Sequence, residues 1–599
     1  MPFLPSLIEG NQTRAVVDVF GGYNHNLKIS EGEWYEETNL TAAHYPMFSQ
    51  RGPRGDYMYA DEGIQGIAAK DALAVVDGGT LYYNMMPISG LRLSEAPEDN
   101  PKQLVSMGAY LCIFPDCVYL NTKDLTDYGD MGAYFSYQAT SLSPITYTPC
   151  RLSGEEYDAD SITVSVSEPS EPENGRYWLD TSGDTHVLKQ YSSSGAMWVQ
   201  IPTVYTKIDC PNIGRQFRQY DGVHISGVHY IAENDDAVLD AQLDELNGAA
   251  VIQALGDNYI IVTGLIDTQY MQQSGEIVVE RRVPKMQYVC EINNRLWGCF
   301  YGMSGGEVIN EIYACKQGDF RNWNCFMGLS TDSYSASVGS DGEFTGCIAY
   351  LGSPLFFKEN CIHRLSGTMP SNYQLTTTTC RGVQRGSWRS LVVVNEILYY
   401  KSRSDVCSYD GSLPVGVSAQ LGSELYYDAA AGAHNGKYYI SMRDSTDKWN
   451  LFVYDTRRGI WHREDDTHAT GFAAWGDEIY FSTADGKIWA ENGTVGVAEK
   501  QVEWEAVSGL IGYELIDHQY ISRFNFRMKL GKGAKCALAI EYDSDGKWIE
   551  QGVIRGSGMD SFVIPVIPQR CDHFRIRLRG TGDIKIYSIA KVIEQGSDA

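Results

Sequence analysis

One phrase recurs between residues 284 and 492, and it restricts the fold more than any other feature of the chain. It is an apolar strand, a short polar turn, and a second strand rich in aromatic residues. It reads MQYVCEINNRLWGCFY at 286–301, turning at Asn293-Asn294, and LVVVNEILYY at 391–400, turning at Asn395-Glu396. It returns as AAGAHNGKYYISM at 430–442, turning at Asn435-Gly436, and as GFAAWGDEIYF at 471–481, turning at Gly476-Asp477. CIAYLGSPLFF at 347–357 is a shorter copy. Asn-Gly and Gly-Asp pairs supply the positive φ that tight hairpins require. Further short strands follow most copies: IHRLSG at 362–367, VCSYDG at 406–411, LFVYDTRRGIW at 451–461 and KIWAEN at 487–492. A repeat of roughly 40–60 residues is that of a four-stranded propeller blade. In the blade ending at Tyr454–Trp461, Asp455 opens the turn and Trp461 is placed to cover a neighbouring strand.

Related phrases occur early, at 72–84 (ALAVVDGGTLYYN) and 104–121 (LVSMGAYLCIFPDCVYLN). The expected fold class is therefore all-β: a β-propeller interrupted by an inserted small β domain, with a C-terminal β-sandwich-like domain. The expected divisions are 1–140 for the N-terminal segment and early blades, 141–283 for the insertion, 284–495 for the remaining blades and 496–599 for the sandwich. Early blades are expected from about residue 20. The insertion carries an acidic Pro/Ser-rich linker at 165–175, then strands in which Trp178 and Trp198 pack together, then strands turning at Asp221-Gly222 and Gly256-Asp257. The one helical candidate is LDAQLDELNGA at 239–249. In the last hundred residues, strands are predicted at 522–530, 536–542, 561–566 and 574–578 from alternating apolar and polar residues.

Composition agrees. The 40 Tyr outnumber Phe and Trp together, Gly reaches 60, and charged residues are 21%, too few for a disordered chain. The net charge of −28 opposes wrapping of DNA or docking on an anionic membrane. It is compatible with an acidic wall past which DNA slides, and equally with solubility alone. The 14 Cys, among them Cys112, Cys117, Cys290, Cys299, Cys315, Cys325, Cys347 and Cys361, form no CxxC and read as buried free thiols of a reducing compartment. The opening Met1-Pro2-Phe3-Leu4-Pro5 is not a signal peptide. The sequons at Asn11, Asn39 and Asn492, and the tripeptide Arg54-Gly55-Asp56, carry little weight.

Motifs for chemistry are weak. STADGKIW (482–489) places Ser482, Gly486 and Trp489 as in a sialidase Asp-box with the acid displaced to Asp485, and an Asp-box is itself a structural turn. His462 and His468 lack a ligand spacing. Glu464, Asp465 and Asp466 read as a solvated loop before a cation site. Asp543 and Asp545 precede Gly546, but Trp548 and Ile554 stand where a calcium loop needs Gly and Glu, so a hairpin turn is favoured. Tyr399-Tyr400, Tyr426-Tyr427 and Tyr438-Tyr439 are candidate sugar platforms, with packing between blades favoured. No catalytic, cofactor-binding or metal-binding residue is assigned, and no cofactor is expected.

Three stretches resemble tailed-bacteriophage structural proteins. FGGYNHNLKISEGEWYEETNLTAAHYPMFSQRGPRG (20–55) is similar to the start of propeller-type tail nozzle and stabilisation proteins, with Gly21-Gly22, Asn39 and the basic turn Arg51-Gly52-Pro53-Arg54-Gly55. PENGRYWLDTSGDTHVLKQYSSSGAMWVQI (172–201) resembles a module common in phage structural proteins. YDSDGKWIEQG (542–552) with RCDHFRIRLRGTGDIKIYSI (570–589) resembles the closing domain of the nozzle-like proteins. The resemblance implies a non-enzymatic virion protein of the tail or neck, assembled in the host cytoplasm. It implies a homo-oligomeric ring, a hexamer by family habit, that joins portal or adaptor proteins and possible tail fibres and lets DNA pass without binding it. The alternatives are a carbohydrate-binding adhesin and a glycan depolymerase on a propeller scaffold.

Overall fold

The computed structural model describes residues 12–94, 102–132, 134–138, 145–157, 161–183, 186–229, 242–266, 270–273, 276–304, 307–512 and 519–595. Among them strands dominate, and the α-helix is a single turn at 242–245. Of the helical candidate 239–249, residues 239–241 lie outside the described set, and the chain re-enters a strand at Gly248–Val251.

Seven antiparallel sheets at 64–92, 103–130, 288–337, 346–379, 392–416, 426–465 and 469–490 are the blades of a propeller. Their first strands surround one common cavity. Neighbouring first strands approach closely: a Cβ on Gly66 of blade one would lie 2.6 Å from Leu104 of blade two, and one on Gly471 of blade seven 2.9 Å from Ile67 of blade one. The hairpin turns follow the sequence reading. Both turn residues have positive φ at Asn293-Asn294, Asn395-Glu396 and Asn435-Gly436, and Gly476 alone does at Gly476-Asp477. These are the two turn geometries that match strand twist. The phrase at 72–84 sits differently: it forms the second and third strands of blade one, Ala72–Asp77 and Thr80–Tyr83, behind a first strand Ile64–Lys70.

Blade seven takes its fourth strand from far upstream, with Val497–Ala498 pairing outside it. Gly55–Tyr59 pairs with Lys487–Ala490, so the N-terminal part of the chain closes the ring. Closure leaves no room for a side chain at Gly55, whose Cβ would lie 1.8 Å from the Val495 carbonyl oxygen.

The residues before that strand correct the expectation that blades begin near residue 20. Gln12–Val17, Gly22–Tyr23, Glu33–Thr38 and Phe48–Ser49 instead join the C-terminal sandwich. One sheet runs in the order Gln12–Val17, Ile584–Gln595, Gln519–Leu530, Gly558–Pro565. The other runs Gly22–Tyr23, Glu33–Thr38, Glu503–Ser508, Phe574–Thr581, Lys535–Tyr542, Trp548–Arg555. The reason is apolar: Phe20, Trp34 and Phe48 fill one core with Trp504, Phe524, Phe526 and Phe574. Phe48 lies edge-on to Trp504 at 5.4 Å.

The insertion leaves after blade two and returns before blade three. It holds two sheets around Tyr147, Ile208, Ile225, Val262 and Val279, and a smaller sheet in which Trp178 and Trp198 meet edge-on at 5.6 Å. Its hairpin turn falls at Asp257-Asn258, one residue later than the sequence suggested, because Gly256 pairs with Tyr259. Blades two and three still touch: Gln103 Oε1 accepts from the Val289 amide at 3.0 Å.

The crowding near the axis gives a direct expectation. A Cβ on Gly432 would lie 2.4 Å from Cβ of Phe472. Gly432→Ala should lower stability by about 1–3 kcal/mol, the range for overpacking, read as a lower urea midpoint.

Candidate functional site on the propeller axis

The cavity bounded by the seven first strands measures about 450 Å³. Its wall is mainly small and apolar, with Ile67, Leu104, Ala431, Gly432, Ala473 and Ala474 among its residues. Among the described residues it holds two cations, Lys102 and Arg389, and no Asp or Glu. Lys102 is compensated, since its ammonium binds the Asp116 carboxylate and the Ser94 hydroxyl. Arg389 is not. It sits on the one-turn helix Trp388–Ser390 before blade five and reaches across to donate to the Thr470 carbonyl of blade seven. Burial lowers its pKa to about 10, and no carboxylate pairs with it among the described residues. Nearby His468 stacks on Trp449 at 3.5 Å, and burial with the Arg389 charge lowers its pKa to about 4, so it is neutral. Most glycosidases hold the scissile bond between two carboxyl groups, and among its described residues this wall has none.

Most residues singled out in the sequence go elsewhere. Ser482 lines the cavity from the second strand of blade seven, Glu478–Thr483, while Asp485 and Gly486 lie at the turn after it, where the Gly486 amide donates to the Thr483 carbonyl at 3.0 Å. Asp543 accepts the Asp572 amide at 2.7 Å, and Asp545 the Lys547 amide at 2.8 Å, so both serve turns. His462 contacts Glu37 of the sandwich through Nδ1 at 3.0 Å. Of the six candidate tyrosines, Tyr399, Tyr400, Tyr426, Tyr438 and Tyr439 are buried between and within blades, and only Tyr427 is exposed. All 14 Cys are free thiols, eleven of them buried.

Glu464 and Asp465 overturn the solvated-loop expectation. They end the strand Ile460–Asp465, and Glu464 is 4% exposed. Both bind the guanidinium of Arg54, Asp465 at 2.6 Å, and Glu491 joins them at Nε of Arg54, also at 2.6 Å. Arg51 pairs with Glu499 at 2.7 Å and donates to Asn39 at 2.7 Å, while the Asn39 amide donates to the Glu464 carbonyl at 2.6 Å. Only Asp466 is solvated, paired with Arg463 and Lys448. This cluster joins the sandwich to blades six and seven where the closing strand enters, and it buries the Arg-Gly-Asp tripeptide's arginine. Sequence spacing could not reveal it, because Arg54 and Glu464 stand 410 residues apart.

The cluster carries an excess of acid. Burial raises the Glu491 carboxyl from 4.5 to about 8, against the pull of Arg54 and with help from Glu464. The proton is thus held more tightly in the folded chain than in the unfolded one. The resulting stabilisation is full below the unfolded value and is lost as pH rises through the folded one. Stability should fall between about pH 5 and 8 by up to about 1.4 kcal/mol per pH unit, and Glu491→Gln should flatten that slope in urea titrations.

Fold and site together define a seven-bladed β-propeller closed by an upstream strand, latched to a sandwich and interrupted by a β insertion. No protein-family model and no curated protein sequence matches the chain. Among solved structures, it is similar to BamB from Moraxella catarrhalis at 9% identity, over 73% of this chain and 96% of that one, with a TM-score of 0.29. It is similar to an exo-β-1,3-galactanase from Phanerochaete chrysosporium at 8% identity, over 51% and 94%, with a TM-score of 0.20. A glycoside hydrolase family 43 arabinoxylan arabinofuranohydrolase from Bacillus subtilis matches at 11% identity, over 52% and 95%, with a TM-score of 0.18.

Proposed function

We propose that this chain is a non-catalytic structural subunit of a tailed-phage virion, one copy of a tail or neck ring through which the genome passes. The observation that carries the reading is the joint at Arg51–Gly55. The residues on which the resemblance to nozzle and stabilisation proteins rests lock the sandwich to the propeller through a buried ion cluster. That device suits a part that transmits load. Two further facts favour it over the glycan readings: the axial wall lacks an acid pair, and five of six candidate sugar-binding tyrosines are buried. The conduit is the centre of the ring, because each subunit's own axis encloses only about 450 Å³. Ring stoichiometry, portal or adaptor contacts and fibre docking by the insertion belong to the same proposal. Immunodetection of the chain in purified particles from its host culture tests it. Presence in intact particles at a few copies each is expected. A chain found only in the soluble lysate, with glycan cleavage or glycan binding, contradicts the proposal.

A further inference from the structure

Charge is divided unevenly along this acidic chain. Between 519 and 595, 13 Lys and Arg stand against 8 Asp and Glu, whereas between 145 and 280, 6 stand against 21. Four of those cations, together with Arg14, stand on one surface. In the sheet formed by Gln12–Val17, Ile584–Gln595, Gln519–Leu530 and Gly558–Pro565, Phe524, Phe526 and Met528 point into the core, so Arg523, Arg527 and Lys529 point out. The register sets Arg14, Val592, Arg523 and Pro565 in one row, and Val16, Ala590, Asn525 and Val563 in the next. Ser588, Arg527 and Ser561 follow, then Lys585, Lys529 and Met559.

This outer face holds five cations and no Asp or Glu in those rows. Among the described residues none of the five forms an ion pair, in a chain with 76 acids. The acids at the margins are engaged: Asp560 accepts from the Ser561 amide, Asp583 from Gln50, and Glu594 from Tyr520. Between the cations stand exposed apolar residues, Val16, Met559 and Val563, each more than half exposed.

We infer that this face binds the acidic insertion of a second copy of the chain, head to tail. The inference rests on the ring reading above and names the contact that builds it. A closing ring of identical subunits requires two different complementary patches on each, and the cationic sheet and the acidic insertion are such a pair. Glu168, Glu171 and Glu173 on the 165–175 linker are exposed and offer the opposite charge. Duplex DNA is the weaker occupant. The face interleaves its cations with exposed Val16, Met559 and Val563, which suit a protein surface better than a phosphate backbone.

Sedimentation velocity on the full chain tests the contact. The wild type should self-associate at low salt and dissociate at high salt, as a screened charge pair does. Two neutralised variants, Arg523→Gln/Arg527→Gln/Lys529→Gln and Glu168→Gln/Glu171→Gln/Glu173→Gln, should each associate at least about tenfold more weakly (about 1.4 kcal/mol). Mixed in equal amounts they should pair and stop at two copies, because each supplies one intact patch. A circular-dichroism spectrum unchanged from wild type shows that the variants fold. Rings that form equally well in both variants overturn the inference and leave the ring reading standing. A wild-type chain that never self-associates, alone or with neck proteins, overturns both. Duplex DNA binding abolished by the first variant, with ring formation untouched, assigns the face to nucleic acid instead.

Discussion

Arg54→Ala should cost about 3–5 kcal/mol of stability at pH 7, the usual penalty for removing one partner of a buried ion pair. Arg54 is the hub of the joint: its three guanidinium nitrogens face Glu491, Asp465 and Glu464, and its side chain is 4% exposed. Without it, the carboxylates are left in a site with only Arg51 as cation. Burial already raises the Glu491 carboxyl, and Arg54 is what holds it down. In the variant the acids must take up protons on folding, so the loss should be larger at pH 8 than at pH 5. Urea unfolding followed by tryptophan fluorescence at the two pH values reads this directly. An equal loss at both would mean that Arg54 acts by packing alone, for example over the Phe481 ring at 5.1 Å. Glu491→Gln in the same background should recover part of the loss, since one acid no longer has to take up a proton on folding.

Trp461→Ala should be comparably damaging, at about 3–5 kcal/mol, the range for truncating a large buried aromatic side chain. Trp461 is fully buried in blade six and packs on Tyr454 at 4.8 Å. Its indole N–H donates to the Val417 carbonyl, just past the last strand of blade five, at 2.8 Å. It therefore stitches two blades, and Tyr23 from the sandwich belongs to the same cluster. Trp461→Phe separates the contributions: it keeps most of the packing and loses the hydrogen bond, a difference of about 1 kcal/mol plus the residual cavity. A loss for Trp461→Ala below about 1 kcal/mol would contradict the stitching role.

These two residues also mark how far the sequence could be read. Trp461 was legible because its information is local. Asp455 opens a turn, the strand alternates, and the aromatic residue falls on the covered side. The hairpins at 293–294, 395–396, 435–436 and 476–477 were legible for the same reason, since two-residue turns of this type demand Asn, Gly or a tolerant substitute. Arg54 was not legible. Its ligands come from strands more than four hundred residues away, and a run such as Glu464-Asp465-Asp466 looks solvated until a distant arginine is placed against it. The closing strand Gly55–Tyr59 and the four short strands before it were missed on the same grounds, because pairing across the whole chain leaves no periodic trace. The blade number also escaped, as the phrase at 72–84 forms the second and third strands of blade one and leaves its first strand, Ile64–Lys70, without the recurring pattern. Arg389 carried no signal, because its importance lies in the absence of a nearby carboxylate.

The proposed function makes the chain one subunit of a ring-forming conduit. Light scattering with negative-stain imaging of the purified chain, alone and with virion neck proteins, reads that assembly. Closed rings of uniform size, formed alone or on a portal or adaptor, are the predicted result. A chain that stays monomeric in every mixture would contradict the claim and return the propeller to the glycan-binding and glycan-cleaving readings.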